Sequence, residues 1–353
     1  MSCAFEGAQT RKERKVKHMA LTAEERKELL TLFEVPKDLG AEALKMLSQQ
    51  EMQLILLMKK DTISFDKLKE KIAGAEIADH PERLIQSAYS RAVLDKARDE
   101  DGVLCYRISN FYGRYPYFAQ FEYEEYARFP REKKDRLNEW DFELYYGVFG
   151  KDVQAKIRGE ETYVHNSTFL TLPEAFALLE KHSGNIYRVP CNCKCMMDVT
   201  EKPRNVCINF DSGDNTPSDR GHGEKLTLEF AKELTRDWNR RGLMQNGEDF
   251  AICNCDGQSC YPLQMARKAG AQGIYPRSNY LINWDEETCI NCGNCARICN
   301  FNAFVVGEDK KVSFHPELCW GCTICSANCP KSAITLSPRE GAGCAAQAAS
   351  IHH

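Results

Sequence analysis

Residues 289–299 read Cys-Ile-Asn-Cys-Gly-Asn-Cys-Ala-Arg-Ile-Cys, and residues 319–329 read Cys-Trp-Gly-Cys-Thr-Ile-Cys-Ser-Ala-Asn-Cys, followed by Pro330. Both follow C-x2-C-x2-C-x3-C, and every cysteine of the second run lies 30 positions after its counterpart in the first. The flanks repeat too, with Asn302-Ala303-Phe304 aligning with Ser332-Ala333-Ile334. A duplicated unit is the simplest explanation.

Working outward, the chain has 353 residues and a mass of 40.2 kDa, which suits two or three domains. Its 43% hydrophobic content excludes wholesale disorder. The formal charge of −4 gives no global sign of a nucleic-acid binder. In the first half the longest apolar run is Leu54–Met58, far short of a membrane span. The stretch Met1–Gly7 carries no basic-then-apolar export signal, and the expected location is the cytoplasm. Of 18 cysteines, 15 fall between Cys191 and Cys329. In an unexported chain of this size such clustering indicates metal or redox chemistry rather than a disulfide scaffold.

The spacing of the two runs has a chemical reason. Three closely placed thiolates wrap three irons of a cubane, while a longer gap holds back the fourth. The segment around residues 283–338 closely resembles a bacterial-type ferredoxin with two [4Fe–4S] clusters. The resemblance implies crossed ligation. Cys289, Cys292, Cys295 and Cys329 would hold one cluster, and Cys319, Cys322, Cys325 and Cys299 the other. Asn300 stands where this family usually has proline, which points to a loosened turn or an altered cluster environment, whereas Pro330 keeps it. The rival reading of C-x2-C pairs is zinc, but four cysteines per run in this register, twice over, favour iron–sulfur.

Upstream lie seven more candidates: Cys191, Cys193, Cys195, Cys207, Cys253, Cys255 and Cys260. Thr171 followed by Leu172-Pro173-Glu174 reads as the start of a helix running to about His182. Ile186–Val189, Val206–Phe210 and Phe250–Ile252 read as strands, and Glu224–Arg241 and Leu263–Lys268 as helical, an α/β pattern. Ligands pooled from strand ends in such a sheet suit a third iron–sulfur cluster or another soft-metal site. Extended, Cys191-Asn-Cys-Lys-Cys195 would point three thiols to one face. Val189-Pro-Cys-Asn-Cys, with Ile252-Cys-Asn-Cys downstream, resembles cysteine patterns upstream of ferredoxin domains in other multi-cluster proteins. A metal or cluster site ranks first here, a thiol redox couple second and plain packing third. Between Asp211 and Glu224 the chain is polar and rich in glycine, a covering loop in which His222 is read as solvated rather than as a ligand.

Toward the N-terminus, Thr22-Ala-Glu-Glu25 and Ser48-Gln-Gln-Glu51 fit capping boxes. Helices after Ser48, near Phe65–Ile72 and from Pro81, followed by a hairpin ending near Ile108, resemble a winged helix. Residues 48–110 hold 10 Lys+Arg against 11 Asp+Glu, so protein docking is favoured over DNA. The basic run Arg11–Lys17 is read as a solvated tail. Residues 111–149 carry 14 of 35 aromatic residues, taken chiefly as packing and secondarily as a partner interface. Cys105 is assigned to packing in its strand, and Cys3 and Cys344 to tails.

The expected fold class is therefore a multidomain α+β protein. After a basic tail (1–20) come a winged-helix-like domain (21–110), an aromatic-rich connection (111–161) and an α/β cysteine-rich middle domain (162–282). A ferredoxin-like two-cluster domain (283–338) and a flexible tail (339–353) complete it. No P-loop or dinucleotide fingerprint occurs, while flavin, which has no dependable short motif, stays open. The leading expectation is an electron-transfer protein relaying single electrons to or from a larger redox enzyme, without a membrane span, in an anaerobic host. The alternative is an oxidoreductase whose own metal or thiol site in the middle domain is fed by the ferredoxin segment. A redox-responsive DNA-binding regulator ranks last.

Overall fold

The computed structural model describes residues 21–248 and 250–339. The tails carrying Cys3, Arg11–Lys17 and Cys344 lie outside the described residues. The chain divides into two compact units, one ending at Arg114 and the other beginning at Tyr115.

In the first unit both expected capping boxes form. The hydroxyls of Thr22 and Ser48 each accept a hydrogen bond from the backbone N–H of the glutamate three residues on, at 3.2 Å, and open the helices Ala23–Leu32 and Gln49–Met58. A short helix, Gly40–Lys45, lies between them. Strand Ile63–Ser64, helices Phe65–Gly74 and Pro81–Ser90, and the hairpin Leu94–Arg98 with Leu104–Ile108 follow. The three strands make an antiparallel sheet with Leu104–Ile108 in the middle, pairing Ile63 with Tyr106 and Leu94 with Ile108. Leu54, Ile55, Leu68, Ile72 and Ile85 are fully buried, because the apolar stripes of three helices meet over one face of that sheet. Burying each such side chain contributes about 1.5–3 kcal/mol.

The second unit opens with aromatic helices ending at Phe121, then Tyr123–Ala127 and the 27-residue Arg131–Ile157. Tyr115, Phe118 and Tyr126 are buried, and the Tyr126 hydroxyl donates to the carbonyl of Met196 at 2.6 Å. Gln120 donates to the carbonyl of Pro190 at 2.7 Å. The aromatics therefore pack this segment onto the cysteine-rich region, the role favoured from composition. On the long helix the aliphatic Leu144 and Val148 are exposed.

Thr171 caps the helix Leu172–Lys181 as expected, with a full capping box to Glu174. Five strands then form one sheet in the order Glu224–Lys225, Tyr187–Val189, Cys207–Asn209, Ala251–Cys255, Met244–Glu248. Every pairing in it is antiparallel. This corrects the α/β expectation: alternating strands and helices fixed the order of elements but not strand direction, so thiols meet through cross-strand register rather than at parallel strand ends. A second correction concerns Glu224–Arg241. Glu224 and Lys225 form an edge strand, and the helix Leu228–Arg240 begins only after Thr227, whose side chain caps Phe230 N. Phe230 is consequently exposed, while Ala231, Thr235 and Trp238 face inward.

The last part pairs Tyr280–Trp284 with Ile334–Pro338 and Phe304–Val306 with Val312–Phe314, both antiparallel. Its two short helices, Asn294–Ile298 and Ile324–Ala327, start 30 residues apart (324 − 294), so the sequence repeat is a structural one. Within its cysteine run each repeat turns through two left-handed residues, Asn291 and Gly293 in the first, Gly321 and Thr323 in the second. The glycine occupies opposite members of that pair in the two repeats, relieving one of the two unfavourable positions each time.

Candidate metal centres

The crossed arrangement implied by the ferredoxin resemblance can be followed residue by residue. Cys289, Cys292 and Cys295 line one apolar pocket with Cys329, which comes from the other repeat. The pocket is small and partly open to solvent. Ile290 and Cys292 stand on its exposed side. Burial raises the Cys295 thiol to about 11, with Cys289 and Cys292 adding to the rise. We call this the outer set.

The inner set is Cys299, Cys319, Cys322 and Cys325. Desolvation pushes Cys319, Cys322 and Cys325 upward, and each also feels the charge of Cys299. Cys322 and Cys325 are 7% exposed. Backbone N–H groups point at sulfur here, from Ala303 to Cys299 at 3.3 Å and from Gly321 to Cys319 at 3.4 Å. Eight unpaired thiols in two sets of four, with N–H donors aimed at sulfur, are a donor set that fits soft iron–sulfur ligation.

Asn300 does not loosen its turn. Its Oδ1 accepts from Gly257 N and Lys202 Nζ, both at 3.0 Å, and its Nδ2 donates to the carbonyl of Gly242 at 2.9 Å. A proline there would lose all three bonds, so the departure from the family pattern ties the repeat to the middle sheet. The backbones approach closely at this point: a Cβ on Gly257 would lie 2.7 Å from the Asn300 carbonyl oxygen.

Six of the seven upstream cysteines come together. Ile208 pairs with Ile252, so the next residues on the two antiparallel strands, Cys207 and Cys253, are neighbours. Cys253 and Cys255 share a face by strand alternation. The Cys260 thiol donates to Cys255 at 3.4 Å. Cys191 is hydrogen-bonded to Cys193 and Cys207, and these bonds hold its thiol well below the ordinary range. Cys193 packs against the same core as Cys191 and Cys207, and we refer to the six as a ring. Cys195 lies outside the ring. Residues 192–197 are helical rather than extended, which turns its thiol away from that of Cys193, and burial lifts it to about 12. Among the described residues no three or more His, Cys, Asp or Glu side chains gather around a single mononuclear ion.

Several residues at these sites escaped the sequence reading. Lys194 is 1% exposed; its Nζ donates to the carbonyl of Asn254 at 2.6 Å and lies 4.0 Å from Asp256. Tyr145, whose hydroxyl meets His165 Nε2 at 2.8 Å, feels the charges of Cys193 and Cys260. Buried Asp141, beside Tyr261, is raised to about 7 by desolvation. A lysine between two cysteines was the one available signal, and spacing gave it no role. His222 stacks its ring on Phe121 at 4.0 Å and is half-buried.

Together the repeat, its crossed cysteines and its small paired strands define an iron–sulfur protein of ferredoxin type. The family described as a 4Fe-4S dicluster domain matches residues 283–336. Ferredoxin-3 of Nostoc sp. is 34% identical over 74 aligned residues, covering 16% of this chain and 76% of that protein. One component of the Na(+)-translocating ferredoxin:NAD(+) oxidoreductase complex of Acetobacterium woodii is 44% identical over 50 residues, 14% of this chain. The match spans only 15% of that protein's length. The pyruvate synthase component PorD of Methanocaldococcus jannaschii is 37% identical over 56 residues, 16% of this chain and 65% of that protein. No solved structure matches. Through residues 283–336 the chain belongs to the ferredoxin-type [4Fe–4S] dicluster family. Among the described residues no helix is long and apolar enough to cross a membrane.

Proposed function

We propose that the protein relays single electrons through two [4Fe–4S] clusters to or from a larger redox enzyme, in an anaerobic cytoplasm. Cys289, Cys292, Cys295 and Cys329 would hold the outer cluster, and Cys319, Cys322, Cys325 and Cys299 the inner one. The observation that carries the reading is the pocket in which three cysteines of one repeat meet the fourth cysteine of the other. Bound there, such clusters supply one-electron storage and transfer at low potential. The exposed Ile290 and Cys292 mark the outer set as the side a partner approaches.

Residues 21–110 serve in this reading as a winged-helix-like docking module, supported by the order of three helices and a three-stranded sheet. Exposed Leu144 and Val148 in the aromatic-rich segment 111–161 support a second contact with the partner. The near-equal charges of residues 48–110 argue against DNA as the target.

One observation favours a second reading, in which the chain is itself an oxidoreductase. The Tyr145–His165 pair beside Cys193 and Cys260 could deliver protons to chemistry at the middle thiols. Anaerobic reductive titration followed by EPR tests the relay. Two interacting low-potential centres, each lost with its own variant (Cys292→Ser or Cys322→Ser), are expected. A protein that shows no reducible iron–sulfur signal would sink the proposal.

A further inference from the structure

We propose that the ring of Cys191, Cys193, Cys207, Cys253, Cys255 and Cys260 holds a third iron–sulfur centre, joined to the ferredoxin repeat by a buried chain of side-chain amides. The inference goes beyond the relay reading and needs only the described geometry of the middle sheet.

Four separate segments deliver these thiols to one place: the start of helix Asn192–Met197, strand Cys207–Asn209, strand Ala251–Cys255 and the residue capping helix Tyr261–Ala269. Cys191, Cys207, Cys255 and Cys260 are all under 9% exposed, and Cys193 and Cys253 pack against the apolar core that contains Cys191 and Cys207. A dithiol couple needs only two sulfurs, whereas this ring offers six, more than the four that a zinc ion or a four-iron cluster takes. Plain packing does not explain Lys194. Its ammonium is buried among these side chains, and its one acidic neighbour, Asp256 at 4.0 Å, leaves Oδ2 without a hydrogen bond. Asp256 is a distant counter-charge for a buried cation, and a thiolate-bound cluster is an anion that would add to it.

The opposite face of strand Ala251–Cys255 carries the connection. Asn254 Oδ1 accepts from Gln245 Nε2 at 2.9 Å, Gln245 Oε1 accepts from Asn239 Nδ2 at 2.6 Å, and Asn239 Oδ1 accepts from Asn328 Nδ2 at 2.6 Å. Asn239, Gln245 and Asn254 are at most 2% exposed. Asn328 precedes Cys329 of the outer set, while Asn254 lies between Cys253 and Cys255 of the ring. Amides this deeply buried are retained where every donor and acceptor has a use. Here they hold the two cysteine regions in one fixed relation.

The test is iron, acid-labile sulfide and zinc per chain on the anaerobically purified full-length protein, with Mössbauer spectroscopy. The wild type should hold about twelve irons and twelve sulfides, against about eight for two clusters alone. Cys207→Ser/Cys253→Ser should fall to about eight while keeping the ferredoxin EPR signals, and Cys195→Ser, outside the ring, should lose nothing. Lys194→Met should shift one reduction midpoint to more negative potential, a readout that a packing role would not move. About eight irons in the wild type, an iron count unmoved by the double variant, or zinc in place of the extra iron overturns the proposal. If instead about four irons remained and vanished only with Cys207→Ser/Cys253→Ser, the two-cluster relay would fail and the third centre would stand. Should the double variant not fold, the wild-type count decides alone.

Discussion

The outer and inner cysteine sets share one spacing, one helix position and one pair of left-handed turn residues, yet they sit in different surroundings. Cys292 and Ile290 face solvent in the outer set, while Cys322, Cys325 and their neighbour Trp320 are buried in the inner one. The repeat determines which atoms can ligate. What surrounds each repeat determines how dry the site is, and dryness and hydrogen bonds to sulfur tune cluster potentials. The inner set is tied to the middle domain through Asn300, which bonds Lys202 and Gly257, and the outer set through Asn328, whose amide donates to Asn239 at 2.6 Å.

Removing iron should have the largest effect. The repeat's own buried core is small, centred on Phe304, Val312, Cys325 and Ile334, and small metal-bound domains fold with their metal. Chelation under anaerobic conditions is expected to strip protection from residues 280–339 in hydrogen exchange while leaving residues 21–114 protected. Equal loss in both regions would break the comparison. Next in size is the contrast of Cys322→Ser with Cys292→Ser. Each should remove about four irons. Both should lower the unfolding midpoint through cluster loss, and the buried substitution should lower it further, because it also leaves a hydroxyl in a site closed to water. On air exposure the outer signal should disappear several-fold faster than the inner one.

A third prediction concerns the scaffold beside the middle-domain cysteines, where Asp141 meets Tyr261. Asp141, almost fully buried, is raised to about 7, so the folded chain holds that proton where the unfolded chain releases it. Its stabilising contribution is complete below the unfolded value near 3.8 and is lost as pH rises through about 7. Asp141→Asn should flatten the stability profile between those values and raise stability at pH 8, by up to about 4 kcal/mol. An unchanged profile would show that the carboxyl is better solvated than its burial indicates. The smallest effect expected is that of Asn300→Ala. It should cost about 2 kcal/mol, from hydrogen bonds worth about 0.5–1.5 kcal/mol each, and should perturb the inner signal more than the outer. A variant that perturbs only the outer signal would reverse the assignment of Asn300 to the inner side.

How much of this was legible in the chain depended on the range of the interaction. Capping boxes at Thr22, Ser48 and Thr171 are three-residue motifs, and all three form where they read. The 30-residue repeat became two helices and two pairs of left-handed turns because its spacing is local. The middle sheet was misjudged in direction, since antiparallel pairing of Cys207 with Cys253 depends on partners 46 residues apart (253 − 207). An extended Cys191–Cys195 would put all three thiols on one face, but the chain coils into a helix there and separates Cys195 from the others. The amide chain through Asn239, Gln245, Asn254 and Asn328 left no pattern at all, because four ordinary polar residues acquire meaning only once burial removes water from them.

The crossed ligation of the two sets is the claim on which the electron-relay account rests, and Cys329→Ser tests it most directly. Cys329 belongs in sequence to the second run but lines the pocket of the first. EPR of the dithionite-reduced variant should show the same centre lost as in Cys292→Ser, with the inner signal intact. Loss of the centre that Cys322→Ser removes, with the outer signal intact, would contradict the account.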